Sequence, residues 1–210
     1  MSSYIDKLNW RYATKSFDTS KKISEENLQI LKEAMRLSAS SYGLQPYKIF
    51  IIENSDLRNK LKAAAYNQPQ ITDASQLIVF AGKTDVTAQD VTEYMENISA
   101  VRNIPLEALQ GFSDAINGAV VTRTQEAKAI WTAKQCYIAL GNLLSAAAHL
   151  NIDTCPMEGF NAAAFDEILG LKEQCLATAV IATIGYRSEE DQTQHYAKVR
   201  KSHENLFTTL

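Results

Sequence analysis

Two short basic runs carry the side chains best suited to chemistry: Arg11-Tyr12-Ala13-Thr14-Lys15 near the start and Lys198-Val199-Arg200 near the end. Arginine presents a planar fork of donors and lysine a mobile point charge, a pairing suited to phosphate. If folding joins the two ends, four cations surround one anion in a chain whose formal net charge is only -3. Short basic runs are more often solvated surface, so the company they keep matters. Two loops supply it: Ser40-Ser41-Tyr42-Gly43-Leu44-Gln45-Pro46 and Cys155-Pro156-Met157-Glu158-Gly159-Phe160. Together the four segments suggest a phosphorylated cofactor held by residues from the whole length of the chain. Glu158, between Pro156 and Gly159, lies where a backbone N–H can face a ligand. Asn67 and Gln70 bracket Pro69 in a turn-like loop, and their amides can both donate and accept, as the edge of a pyrimidine ring requires. Self-capping turn residues are the plainer account of a lone Asn.

These residues need elements to position them. Tyr4, Ile5, Leu8 and Tyr12 recur at helical spacing, predicting an opening amphipathic helix that brings Arg11 and Lys15 to one side of its end. Ser24 before Glu25 and Glu26 reads as an N-cap with acids in the first turn. Leu28, Leu31, Ala34, Met35 and Ser38 form the face of that second helix. Tyr47 to Ile52, Leu77 to Ala81 and Cys175 to Tyr186 read as core strands, and a helix is expected over Ser55 to Ala65. The segment 87–118 looks helical but polar, with breaks at Pro105 and Gly111 and little apolar surface for a core. The longest helix runs from Thr124 to about Leu150, about 40 Å at 1.5 Å per residue. Its second half, from Cys136 to Leu150, is apolar almost all round, which suits a helix central in a core or, the reading favoured in so small a domain, shared with another subunit. Trp131 and Tyr137 on it read as core. Three strands among six or seven helices make the class α+β. One domain over 1–210 is expected, with a helical insertion or lid at about 86–122 and a C-terminal arm at about 200–210.

Composition narrows the function. With 46% hydrophobic and 21% charged residues the chain can bury a full core. Its slight acidity argues against nucleic acid, whose backbone demands a broad basic face. No run approaches the roughly 18 apolar residues of a membrane span, and the first residues lack the pattern of a signal peptide. Cys136, Cys155 and Cys175 are odd in number and widely spaced, so reduced cytoplasmic cysteines are expected, not disulfides or a thiolate metal site. His149, His195 and His203 form no ligand pair for zinc. The glycines make neither a Rossmann turn nor a P-loop, and no nucleophile elbow is present. Glu189-Glu190 reads as solvated surface.

Taken in order, Arg-x-x-x-Lys-x-Phe at the start, Ser-Ser before Gln-Pro-Tyr, the Asn67 loop, Pro-x-Glu-Gly-Phe and the closing Lys-x-Arg resemble the FMN-dependent nitroreductase family. The nearest branch looks like the oxygen-insensitive NAD(P)H nitroreductases, which also reduce quinones and, in some members, dihydropteridines. The likeness runs from Asn9 to Arg200. It implies an intertwined homodimer around a central mixed or antiparallel sheet flanked by helices, with FMN as cofactor and NADH or NADPH as co-substrate. It also implies that Arg11, Lys15, Lys198 and Arg200 hold the FMN phosphate, the ribityl chain and the N1–O2 edge, with the backbone of Tyr12, Ala13 and Thr14 along the same path. Ser40, with Ser41 beside it, would reach the flavin from the neighbouring subunit, and Asn67 would bond the pyrimidine edge. Pro156 and Met157 would lie against one ring face, with the Glu158 or Gly159 N–H toward N5 and cationic Lys15 stabilising the reduced ring.

There are departures. Tyr12 and Ala13 stand where related members often carry His and Ser, and Gln70 where a Lys is common. The segment 86–122 matches poorly, so substrate preference transfers least. The implied activity is two-electron, ping-pong hydride transfer to a nitroaromatic or quinone. The competing reading is a flavin- or anion-binding module without turnover, or a relative with different flavin chemistry such as dihydropteridine or free-flavin reduction. The exposed-type tail Asn205 to Leu210 is apolar and β-prone, and reads as an arm laid on a partner.

Overall fold

The computed structural model describes residues 3–210. Met1 and Ser2, which begin the segment where no leader is expected, lie outside the described residues. Four antiparallel strands form one sheet in the order β1-β2-β4-β3: β1 (Tyr47–Ile52), β2 (Gln76–Lys83), β3 (Asp153–Met157) and β4 (Leu176–Gly185). β2 shows why two layers of helix are needed. Successive side chains on a strand face opposite sides, and here Ile78 and Phe80 enter one core while Leu77 and Val79 enter another.

On the first face lie α2 (Glu25–Arg36) and α7 (Gln125–His149). The Ser24 hydroxyl caps α2, whose Leu28, Leu31 and Met35 are buried against the 25-residue α7. On the second face lie α3 (Ser55–Ala64), the single turn α4 (Gln70–Asp73) and α8 (Ala162–Leu169), which contribute Leu61, Ile71 and Phe165. The opening helix α1 (Tyr4–Trp10) rests on α7. The class is α+β, as expected, with the sheet entirely antiparallel.

Several expectations need correction. The three-strand reading missed β3, because Pro156 in Cys155-Pro156-Met157 looks like a loop residue. Proline lacks a ladder donor and is tolerated on an edge strand, which β3 is. β1, the opposite edge, is only half-buried, with Ile52 its one fully covered residue. Gly111 breaks nothing; it lies inside α6 (Gln110–Ile116). The segment 86–121 also has a core of its own. Val86, Val91, Met95 and Ile98 of and beside α5 (Ala88–Arg102) pack with Leu109, Ile116, Val120 and Trp131. Its apolar residues are spread thinly enough to hide the helical stripe. Trp131 is core, but Tyr137 is 41% exposed. Within the tail, Ser202 caps a single helical turn, α9 (His203–Leu206). All residues from Val199 onward are exposed.

Candidate functional site

The site begins where α1 ends. Arg11 is its C-cap with extended φ/ψ of -72° and 145°, so the chain leaves the helix before Tyr12. Arg11 and Lys15 therefore do not share a helical face; Arg11 is extended, and Lys15 lies at a bend beyond the Ala13 bridge. Ala13 bridges Thr154 in parallel, and the Thr14 N–H donates to the Thr154 carbonyl at 3.2 Å. That contact lays residues 12–14 along the free edge of β3, beside Pro156. Downstream, Phe17 bridges Arg187 and the Ser188 N–H donates to Ser16 O at 2.9 Å. Phe17 seats against Gly185, where an added Cβ would come within 2.9 Å of its ring.

Along this edge opens a cavity of about 490 Å³, lined by Asn9, Trp10, Arg11, Tyr12, Ala13, Pro156, Thr193, Gln194, Tyr196, Ala197, Lys198 and Arg200. The two basic runs thus meet across the length of the sequence. Lys198 Nζ donates to the Arg11 carbonyl oxygen. Burial lowers the Arg11 pKa, and the charge of Arg200 lowers it further. Lys198 is lowered by burial and then by Arg11 and Arg200. Three cations that repel one another without a carboxylate among the cavity residues define a place for an anion. Arg11 Nε is buried with no partner, and its terminal nitrogen reaches only the Tyr12 carbonyl at 3.4 Å. Lys15, the fourth cation, is exposed and outside the cavity lining. Burial pushes the Cys155 thiol up, and the charges of Lys15 and Arg11 pull it down.

A second cluster gathers past the end of β3. The Gln68 side-chain amide donates to Gly159 O at 2.7 Å, and the Asn161 N–H donates to Ala64 O at 2.8 Å. These bonds hold the Asn67 turn against the 158–160 loop. Asn67 itself is left-handed, with φ of 59°, a conformation that Asn tolerates better than most residues. Among the described residues neither the Glu158 nor the Gly159 N–H has a hydrogen-bond partner. Tyr137 Oη donates to Glu158 Oε1. Burial first, then this bond, push the tyrosine up to about 12. Pro156 lines the cavity, whereas Met157 is buried in the core with Cys155 and Ile181.

Other candidate residues lie apart in the single chain. Ser40 Oγ accepts from the Gln45 N–H at 3.0 Å, and the Ser41 N–H donates to Gln135 Oε1 at 2.8 Å. Neither serine lines the cavity. Gln70 lies in α4, not in a loop, buried with Oε1 unpartnered. The sequence reading also passed over Asp191, Asp153 and Arg187. Arg187 pairs with Asp153 at 2.6 Å and stacks over the Trp10 and Tyr12 rings, 4.3 and 4.6 Å from their centroids. The available signal was Asp191 two residues before Thr193, an arrangement for capping a turn.

The nitroreductase family model matches residues 8–186. The chain belongs to the nitroreductase family. It is 35% identical to a Staphylococcus saprophyticus protein provisionally named as an NAD(P)H nitroreductase, over 98% of this chain and 96% of that one. A Staphylococcus haemolyticus protein of the same name type is 35% identical, over 97% and 95%. Among solved structures, a Bacillus subtilis protein assigned as a nitroreductase superposes with a TM-score of 0.87 at 22% identity, covering 99% of this chain and 98% of its own. An Exiguobacterium sibiricum protein, assigned likewise and solved in complex with FMN, gives 0.84 at 21%, covering 100% and 98%. At those identities the structures speak for the nitroreductase fold. No described helix of this chain is long and apolar enough to cross a membrane.

Proposed function

We propose that this chain is an FMN-dependent NAD(P)H oxidoreductase that reduces nitroaromatics or quinones by two-electron, ping-pong transfer. The observation that carries the reading is the meeting of Arg11, Lys198 and Arg200 in one cavity with Arg11 Nε unpartnered. A phosphate fits that donor set: the arginines supply planar forks and the lysine a point charge. The Staphylococcus relatives' names, with NAD(P)H in them, and the FMN of the Exiguobacterium structure support the choice of cofactor and donor.

When bound, FMN supplies the electron chemistry, and the protein supplies position and electrostatics. Arg11, Lys198 and Arg200 would hold the phosphate end, with the backbone of Tyr12, Ala13 and Thr14 alongside. Pro156 gives an apolar wall with no competing donor. The unpartnered N–H groups of Glu158 and Gly159, with the Asn67 turn held against them, would offer donors and an acceptor to a heterocycle edge. Lys15 adds positive charge near developing negative charge, an effect of the oxyanion-hole type. No side chain needs to act as acid or base, and Tyr137 holds Glu158 where its backbone donor is usable.

Ser40 and Ser41 enter this reading through a second copy of the chain. The face of α7 that carries Ile130, Tyr137 and Ile138 is exposed, as are Leu206 and Phe207 of the tail. An obligate homodimer would cover both, at the scale of 2,000 Å² or more typical of such interfaces. The segment 86–122, with its separate small core, would act as the lid over the acceptor.

The test is colour. Purified protein should be yellow, bleach with NADH or NADPH under argon, and recover on adding a nitroaromatic or quinone, with parallel steady-state lines. A colourless preparation that ignores added FMN sinks the proposal.

A further inference from the structure

We propose that Asp191 is the positioning residue of the anion cavity, joining the segment that bears Arg11 and Lys15 to the turn that leads into Lys198 and Arg200. The inference rests on reading the cavity as an anion site.

The Asp191 side chain is 3% exposed. A carboxylate so buried is costly unless hydrogen bonds replace its water. Here five donors do so. Oδ2 accepts from Tyr12 Oη at 2.9 Å, the Lys15 N–H at 2.7 Å and the Ser16 N–H at 3.1 Å. Oδ1 accepts from the Thr193 N–H at 3.0 Å and from the Thr193 hydroxyl. Three of the donors thus belong to the N-terminal segment and two to the turn Gln192–His195 that Asp191 itself begins.

No other group does this. Ser16 and Ser188 pair through their backbones, which fixes the chain beyond the cations but not the stretch that carries them. Asp153 binds Arg187 and so ties the ends of β3 and β4 together. Apart from those to Asp191, among the described residues, the hydrogen bond from Lys198 Nζ to the Arg11 carbonyl is the one that joins the two cation-bearing segments. That contact is made by one of the mutually repelling cations and cannot by itself gather them. A fixed anion behind the segment, bonded to backbone N–H groups, holds the cations in place without neutralising them. Burial raises the Asp191 pKa, but the bonds from Thr193, Ser16, Lys15 and Tyr12 outweigh it and leave the group at about 2. It stays ionised wherever the protein works.

Asp191→Asn keeps the shape but places an amide where two backbone donors point, so one face of the clasp is lost. Affinities for FMN and riboflavin, which differ by the phosphate, and for inorganic pyrophosphate are compared between wild type and variant. FMN and pyrophosphate should weaken by about tenfold to a hundredfold, and riboflavin by much less, so the FMN-to-riboflavin ratio collapses. Equal loss for both flavins, or unchanged FMN affinity, overturns the proposal, since a general structural role moves the two together. Should Asp191→Asn fail to fold, Tyr12→Phe removes one donor from the same oxygen. The ratio should then fall a few fold, and an unmoved ratio overturns the proposal. A wild type that binds pyrophosphate but not FMN removes the flavin reading alone, and Asp191 is then judged on pyrophosphate. Wild type that binds neither overturns both.

Discussion

Two arginines in this chain, Arg58 buried and Arg11 half-buried, have opposite surroundings. Arg58 on α3 is 5% exposed and spends its donors on backbone carbonyls: Nε on Ile71 at 2.7 Å, one terminal nitrogen on Ser75 at 3.1 Å, the other on Ala74 at 2.6 Å. Arg11 is also withdrawn from water, yet its Nε has no partner and its neighbours are Lys198 and Arg200. Burial lowers the pKa of both. Near Arg58 the remaining charges, Asp73 and Glu53, raise it back, whereas near Arg11 the main remaining charge, Arg200, lowers it further. The lesson is that burial of a cation does not reveal its task. A guanidinium whose donors are spent on carbonyls holds the fold, and one whose donors and charge are left over awaits a ligand.

The sharpest way to break this comparison is at Arg58. Arg58→Met leaves three carbonyls around α4 without donors, each costing about 1 to 3 kcal/mol when buried. A loss of about 3 kcal/mol or more in urea unfolding is expected. An unchanged midpoint would show that the carbonyls find other partners and that Arg58 is not the structural member of the pair.

Arg11→Ala should do the reverse. Losing a charge-assisted bond to phosphate costs roughly 1.5 to 3 kcal/mol, or about one to two decades of FMN affinity. The unfolding midpoint of the apo protein should hold or rise, because repulsion from Arg200 and Lys198 is relieved. Arg200→Ala should follow it. A stability loss as large as that of Arg58→Met would erase the distinction.

What could be read without coordinates follows the same divide. Arg11, Lys198 and Arg200 of the two basic runs meet in one cavity with Pro156, and charge type and order along the chain survive in the letters; Lys15 and the Ser40 loop lie outside it. The α2 cap and face and strands β1, β2 and β4 were legible from local periodicity. β3 was not, since a proline on an edge strand looks like a loop residue. The extended path of residues 11–14 was missed for a related reason: Tyr12 completes a helical stripe in sequence, while the actual partner of this stretch, Thr154, is 141 residues from Ala13. Asp191 was hidden because its value lies in donors from three separate places.

Lys15 sharpens the comparison further. In sequence it looks equal to Arg11, but it is exposed and outside the cavity lining. Exposed charges are screened and contribute about 0 to 1 kcal/mol. Lys15→Ala should therefore weaken FMN less than tenfold while Arg11→Ala exceeds it. Equal losses at the two positions would mean that Lys15 turns inward on binding.

The smallest effect is a pH dependence at Lys198, and its sign is fixed by the surroundings. Burial, Arg11 and Arg200 hold the folded-state pKa below the ordinary lysine value. A lowered lysine costs the apo protein stability while it is charged. That penalty lifts as pH rises through the folded pKa toward the unfolded one. Anion binding has the opposite preference, because a bound phosphate favours the charged amine and raises its pKa. Affinity should stay flat near neutral pH, fall as pH passes the lowered pKa of the free protein, and flatten again above the raised value of the complex. Pyrophosphate titrations and apo unfolding curves from neutral to alkaline pH should thus slope in opposite directions. Lys198→Met should flatten both, while Arg58, always charged and already satisfied, contributes to neither slope. Profiles that keep their slopes in Lys198→Met would place the titrating group elsewhere and leave Arg11 and Arg200 as the pair that holds the anion.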